Sequence, residues 1–247
     1  TKTAFKSMGR ITEVVKNLLI INTLVFIVTF LAPGYFANLF GITATECYNG
    51  SMERFFSVYY PGSECFKPFQ LATNMFSHGG LYHFALNMMS LFFIGPIVEM
   101  TLREKRFLTL YLLSGIGGTV FYLAKQAAIL YFGTGSFEIL SLDLYSSQAQ
   151  KQAAQIVTYG SALGASGAIS GLLVALGITN PNLKLYLMFI PIPIKAKHLA
   201  IFGAALSLVL GVVGFPGSVG GIAHFAHLGG MVFAYLYLMF ERGGKPW

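Results

Sequence analysis

Apolar residues run along this chain in long uncharged blocks separated by short polar ones. The blocks are Leu18 to Phe36, Leu81 to Met100, Phe107 to Tyr131, Ser161 to Ile178, His198 to Gly214 and Ile222 to Phe240. About 20 apolar residues in helical form match the hydrocarbon thickness of a bilayer. No ten-residue segments of alternating hydrophobicity occur, which argues against a transmembrane barrel. The pattern predicts an all-α membrane bundle of six transmembrane helices. Two long connections interrupt it. Asn38 to Lys67 carries Cys47, Cys65, several aromatics and a Pro61-Gly62 turn, while Gly133 to Tyr159 is rich in Ser and Gln, with a short surface helix expected after Leu144. Asn180 to Lys197, with three prolines, is expected to be a loop.

Composition agrees. The chain is 55% hydrophobic and 10% charged, against roughly 25% charged in soluble domains. One membrane domain is expected over 1–247, with an N-tail at 1–17, an outer loop at 38–68 and a C-tail at 241–247. The first apolar run is too long for a signal-peptide core and lacks a small-residue cleavage site. The net charge of +7 is spread over the ends of apolar runs. It forms no basic patch with interleaved aromatics, so no nucleic-acid partner is expected. Six spans put both termini on one side, and 12 of the 16 lysines and arginines fall on that side. The positive-inside rule then makes both termini cytoplasmic and the two long loops external.

That orientation gives a common depth to polar residues on three spans. Ser166, in Gly164-Ala165-Ser166-Gly167, lies near the outer end of the fourth span. His224 and His227 lie near the outer end of the sixth, and His83 and Asn87 near that of the second, with His78 at its mouth. An ionisable residue inside a membrane span is a functional hypothesis by default. A serine with a histidine suggests an activated nucleophile. The rivals are ordinary: Ser166 as a small packing residue, or His83 and Asn87 as an interhelical hydrogen-bond pair worth about 1 kcal/mol. Ser161 and Ser170 are alternative serines. The Gly229-Gly230 pair after His227 offers a small face for tight packing, which favours His227 over His224 as the partner of Ser166. His83 and Asn87, four apart on one helical face, could serve as oxyanion donors. No acid sits at this depth, so a Ser/His dyad is expected rather than a triad. The His-x-x-His spacing of 224 and 227 lacks the glutamate of a metalloprotease motif, so no metal is expected.

Three motifs together resemble the rhomboid family of intramembrane serine proteases. They are Phe76-Ser77-His78-Gly79-Gly80-Leu81-Tyr82-His83-Phe84-Ala85-Leu86-Asn87, Gly164-Ala165-Ser166-Gly167 and Ala226-His227-Leu228-Gly229-Gly230. The resemblance covers about residues 18 to 240. It implies a six-helix fold of the bacterial type, with a wet cavity opening outward. Ser166 would be the nucleophile and His227 the general base. His83, Asn87 and the Ser166 backbone N–H would be the oxyanion donors. It further implies single-span membrane proteins as substrates, a lipid bilayer as surroundings, no cofactor, and the bacterial inner membrane as location. Glu99 matches a family position of structural role. The chain departs from the family at Ser170, where an aromatic often stacks on the catalytic imidazole; the Ser170 hydroxyl, or a water it holds, is expected to orient His227 instead.

Cys47 and Cys65 share the first outer loop and could pair in an oxidising compartment, the alternative being two free thiols. A catalytically inactive rhomboid-like escort factor is a competing reading, which the intact Ser166 and His227 disfavour. A transporter is another, disfavoured by the absence of paired carboxylates. The glycine-rich stretch 215–221 is expected to be a lid.

Overall fold

The computed structural model describes residues 11–31, 35, 38–39, 47–48, 51–187, 190–213 and 220–241. Helix α1 spans Glu13–Phe26 and continues as a π-helical turn, Ile27–Leu31. Two short helices follow in the first connection, α2 (Met52–Phe56) and α3 (Gln70–Thr73), the latter extended by a 3₁₀ turn over Asn74–Phe76. Then come α4 (Leu81–Leu102), α5 (Glu104–Thr134), the surface helix α6 (Gln148–Tyr159) and α7 (Ser166–Thr179). An antiparallel hairpin, β1 (Lys184–Leu187) and β2 (Ile190–Lys195), leads into α8 (Ala196–Val213) and α9 (Gly220–Glu241).

Five of these helices are long and apolar enough to cross a membrane: those over Glu13–Phe30, Leu81–Leu102, Glu104–Thr134, Ala196–Val213 and Ala223–Glu241. The chain is therefore an all-α, multi-pass membrane bundle. The fourth apolar run differs from expectation. Its helix starts at Ser166, not Ser161, and has 14 residues, a rise of about 21 Å, short of the ~30 Å of a hydrocarbon core. The cause is local. Val58 and Ala162 form an isolated antiparallel bridge, with N–H···O distances of 2.9 and 3.0 Å. The Gly164 N–H donates to the Asn74 carbonyl at 2.8 Å, and Gly164 sits at φ +117°. Ala162 and Gly164 are thus bonded to the first connection rather than wound into the helix, and α7 cannot begin earlier.

Helix α7 packs against α4, α5, α8 and α9. Gly167, Ala168, Ile169, Gly171, Leu172, Ala175, Leu176 and Gly177 are all buried. A helix apolar on every side belongs in the middle of a bundle. Opposite the segment that precedes α7, the end of α4 is tied to that of α7 and the start of α5 to the end of α9. Thr101 Oγ1 donates to Asn180 Oδ1 at 3.3 Å, and Arg106 pairs with Glu241 at 2.9 Å. The hairpin lies at that end, where a loop was expected. The prolines of β2 are accommodated because a two-stranded sheet leaves one edge of each strand without a partner.

The first connection is built rather than loose. Cys47 is bonded to Cys65. Tyr48 donates to the Cys65 carbonyl at 2.7 Å and Tyr59 to the Cys47 carbonyl at 3.0 Å. Gln70 Nε2 donates to the Cys65 carbonyl at 3.1 Å.

Glu99, near the end of α4, is 3% exposed. Its carboxylate accepts from Thr12 Oγ1 at 2.6 Å and from the Val14 and Val15 backbone N–H groups at 3.1 and 2.9 Å. The first amides of a helix lack intrahelical acceptors and carry its positive dipole end. A buried carboxylate placed there anchors α1 to α4. Hydrogen bonds to charged groups are worth about 1.5–3 kcal/mol. Glu99→Gln is therefore expected to destabilise the bundle by about 2 kcal/mol, and Thr12→Ala by about 1, in reversible unfolding in mixed micelles. Equal stability of Glu99→Gln and the parent would show that the anchor carries no net energy.

Candidate active site

Ser166 is the first residue of α7 and His227 sits two turns into α9. Ser166 Oγ lies 2.9 Å from His227 Nε2. With the ring proton on Nδ1, the hydroxyl donates to Nε2. The two helices come this close because the facing positions have no side chains. A Cβ on Gly230 would run into the Gly167 carbonyl, and one on Gly167 would lie 3.5 Å from both the Ala226 carbonyl oxygen and Gly118 Cα. Small residues at such positions let backbones touch. Gly118, on α5, completes the contact: its Cβ would lie 2.9 Å from the Ala226 oxygen.

The residue before Ser166, Ala165, supplies no side-chain cap to α7. The Ser166, Gly167 and Ala168 N–H groups consequently have no acceptor among the described residues. Such a terminus is suited to negative charge. It faces a cavity of about 310 Å³ whose walls include Asn74, His83, Thr119, Tyr122, Gly164 and Ser166.

His83, in the first turn of α4, reaches the cavity through Gly164. A Cβ at Gly164 would sit 2.8 Å from His83 Nε2 and 2.7 Å from Cε1. The Gly79 N–H donates to His83 Nδ1 at 3.4 Å, a long bond that favours the proton on Nε2, the nitrogen beside Gly164. Asn87 is buried below it, and its Nδ2 donates to the His83 carbonyl at 2.8 Å. Asn87 thus has one amide hydrogen already engaged and does not line the cavity wall. His224 stands edge-on to His227, ring centroids 5.8 Å apart. Ser170 is half-buried and makes no hydrogen bond to His227, so the expected direct orienting contact is not formed. Glu99 lies at the opposite end of α4, against α1. The expected lid at 215–221 falls largely outside the described residues.

His78 is wholly buried, edge-on to His83 and to Phe84, each at 5.4 Å between centroids. Neither ring nitrogen has a hydrogen bond of good geometry. Burial holds its pKa down to about 4, His83 adds a smaller push the same way, and the Phe76 carbonyl opposes both weakly. Sequence reasoning missed Asn74, Thr119 and Tyr122. Thr119 donates to Asn74 Oδ1 at 3.3 Å and Gln126 to Tyr122 at 2.8 Å. Nothing in their local pattern distinguishes them from ordinary polar residues beside a membrane span.

The fold and site define a multi-pass helical membrane protein with a serine and a histidine in contact beside an uncapped helix terminus. Residues 66–243 match the Rhomboid domain, and the chain belongs to the rhomboid family. It is 31% identical over 180 residues to RHOMBOID-like protein 12, mitochondrial, of Arabidopsis thaliana, covering 71% of this chain and 47% of that protein. It is 28% identical over 162 residues to Rhomboid protein 1, mitochondrial, of Saccharomyces cerevisiae, covering 66% and 38%. It is also 28% identical over 195 residues to human presenilin-associated rhomboid-like protein, mitochondrial, covering 77% and 42%. The chain spans less than half the length of each of these relatives. Their names are mitochondrial, so they lend no support to the expected bacterial inner membrane.

Two outcomes follow from this geometry. Gly164→Ala places a Cβ against the His83 ring at a left-handed φ. It should cost about 1–3 kcal/mol in detergent unfolding, and a change within error would mean that the segment relaxes freely. His78 titrates near 6.5 when unfolded and near 4 when folded, so its neutral form is the folded one. Its contribution is complete above pH 6.5 and is lost as pH falls towards 4, by at most about 3 kcal/mol. Unfolding midpoints should drop over that window, less steeply in His78→Gln; identical slopes would assign the effect to other groups.

Proposed function

We propose that this chain is an intramembrane serine endopeptidase that cleaves single-span membrane proteins in or beside their transmembrane segment. The observation that carries the reading is the 2.9 Å contact between Ser166 Oγ and His227 Nε2. In this mechanism Ser166 Oγ attacks the scissile carbonyl carbon while His227 Nε2 takes the hydroxyl proton. The carbonyl oxygen becomes an anion and meets the Ser166 N–H and His83 Nε2–H, while Asn87 steadies His83 from below through its bond to the His83 carbonyl. Collapse of the tetrahedral species breaks the C–N bond, and His227 returns the proton to the leaving amine. Water then attacks the acyl-serine by the same route in reverse and frees Ser166. All acid–base work falls to His227, and no metal or cofactor takes part.

The bilayer shapes the substrate. A peptide bond must be extended to reach Ser166, whereas a transmembrane helix hides its backbone, so segments that unwind readily are the expected targets. The positive-inside count supports cytoplasmic termini and a cavity near the outer leaflet. The Cys47–Cys65 pair belongs on a side facing an oxidising compartment, which fits that orientation. Ser170 is left as a supporting residue acting through water.

A fluorophosphonate probe tests the proposal. Labelling is expected on the parent and on Ser161→Ala, and absent from Ser166→Ala. His227→Ala should slow labelling, and cleavage of a tagged single-span reporter, by about a thousandfold or more. Ser170→Ala should slow cleavage by less than tenfold. A folded parent that neither labels nor cleaves would favour the escort reading.

A further inference from the structure

Helices α7, α8 and α9 leave a groove of about 410 Å³ that runs from Leu228 on α9 towards Gly177 and Lys197, at the end of α7 away from Ser166. Gly177, Ala200 and Ala204 leave room in its walls by being small, Met231 and Tyr235 line it from α9, and Lys197 lines it from the first turn of α8. Its surface is overwhelmingly apolar, so in a bilayer hydrocarbon fills it more readily than water. The charge at its mouth is one-sided. Lys184 and Lys195 are exposed and directly paired across the hairpin, a destabilising arrangement for like charges. Lys197 follows two residues later, half-buried. None of the three forms an ion pair with a described residue; the described pairs are Lys16–Glu13 and Arg106–Glu241.

We propose that this groove is a binding site for one anionic diacyl phospholipid of the leaflet opposite the catalytic cavity. An acyl chain lies along Ala200 and Ala204, and the headgroup phosphate sits on Lys197, flanked by Lys184 and Lys195. Basic pockets between membrane helices recognise anionic headgroups in this way. The phosphate relieves the repulsion between the paired lysines, and the chain fills space that α8 leaves open. The choice of a lipid over a soluble phosphate rests on the groove, and the choice of an anionic one on the lysines. The site is independent of the protease reading.

Native mass spectrometry of the full chain, released from detergent after exchange into dioleoyl phosphatidylglycerol or dioleoyl phosphatidylcholine, tests it. One phosphatidylglycerol per chain should survive activation energies that strip phosphatidylcholine. Lys197→Ala should cut retention at least tenfold and Lys197→Arg should restore it. Ala204→Phe, or the milder Ala204→Val should the former not fold, should displace the lipid while leaving fluorophosphonate labelling of Ser166 unchanged. Equal retention of the two lipids, retention unaffected by Lys197→Ala or by the Ala204 variants, displacement by glycerol phosphate alone, or occupation of the groove by a second copy of the chain would each overturn the proposal.

Discussion

A hydroxyl and an imidazole on different helices must meet at hydrogen-bond distance inside a bundle whose helices have no hydrophobic force pulling them together. In lipid, association rests on packing and on polar contacts. The 2.9 Å separation of Ser166 and His227 therefore depends on removing side chains from the α5, α7 and α9 contact. Gly118, Gly167 and Gly230 do this, and each would place a Cβ near backbone atoms of a neighbour. Backbone cannot yield as a flexible side chain can, so this contact tolerates little change in volume. It also fixes helix register: sliding α9 by one residue would turn His227 away from Ser166 and bring Leu228 or Ala226 towards it.

The position of Ser166 along the bundle axis is set from outside the bundle. The first connection is cross-braced by the Cys47–Cys65 bond and by Tyr48 and Tyr59 donating to the two cysteine carbonyls. From that block Val58 reaches out to pair with Ala162, and Asn74 accepts the Gly164 N–H. These bonds stop α7 from extending towards Ser161. They leave its first amides without partners among the described residues, beside the serine that begins it. A helix one turn longer would satisfy those amides within itself and close the terminus to an anion. The short α7 and the built loop are one device.

The long-range part of this arrangement could not be read from the chain alone. Helical spans, polar residues at common depth and a glycine pair after His227 are local patterns, and a bilayer makes such patterns unusually legible because it admits few architectures. The start of α7 was misplaced by five residues because hydropathy sees Ser161 to Gly164 as part of an uncharged run. The extended path comes from partners about 90 to 100 residues away in sequence, Asn74 and Val58. The hairpin over 184–195 was hidden for a related reason. Its prolines signal a loop, and only the strand pairing shows that they fall in a two-stranded ribbon with free edges. His78 was legible as part of a motif, yet its wholly buried, unpartnered ring was not.

The two ends of the bundle are stabilised by opposite means. At the Ser166 end, the first amides of α7 have no acceptor among the described residues and His78 is buried without a good partner, both costs that a purely structural site would avoid, and Gly164 takes a φ of +117° that glycine alone adopts freely. At the other end, Glu99 satisfies the head of α1 from a neighbouring helix, Thr101 bonds Asn180, and Arg106 pairs with Glu241. Unmet hydrogen bonds persist only where the surrounding structure holds the groups in place. Placing the strong polar ties at the far end, with the disulfide-braced loop clamping the near one, allows Ser166 and its free amides to be held in place without being bonded into the fold.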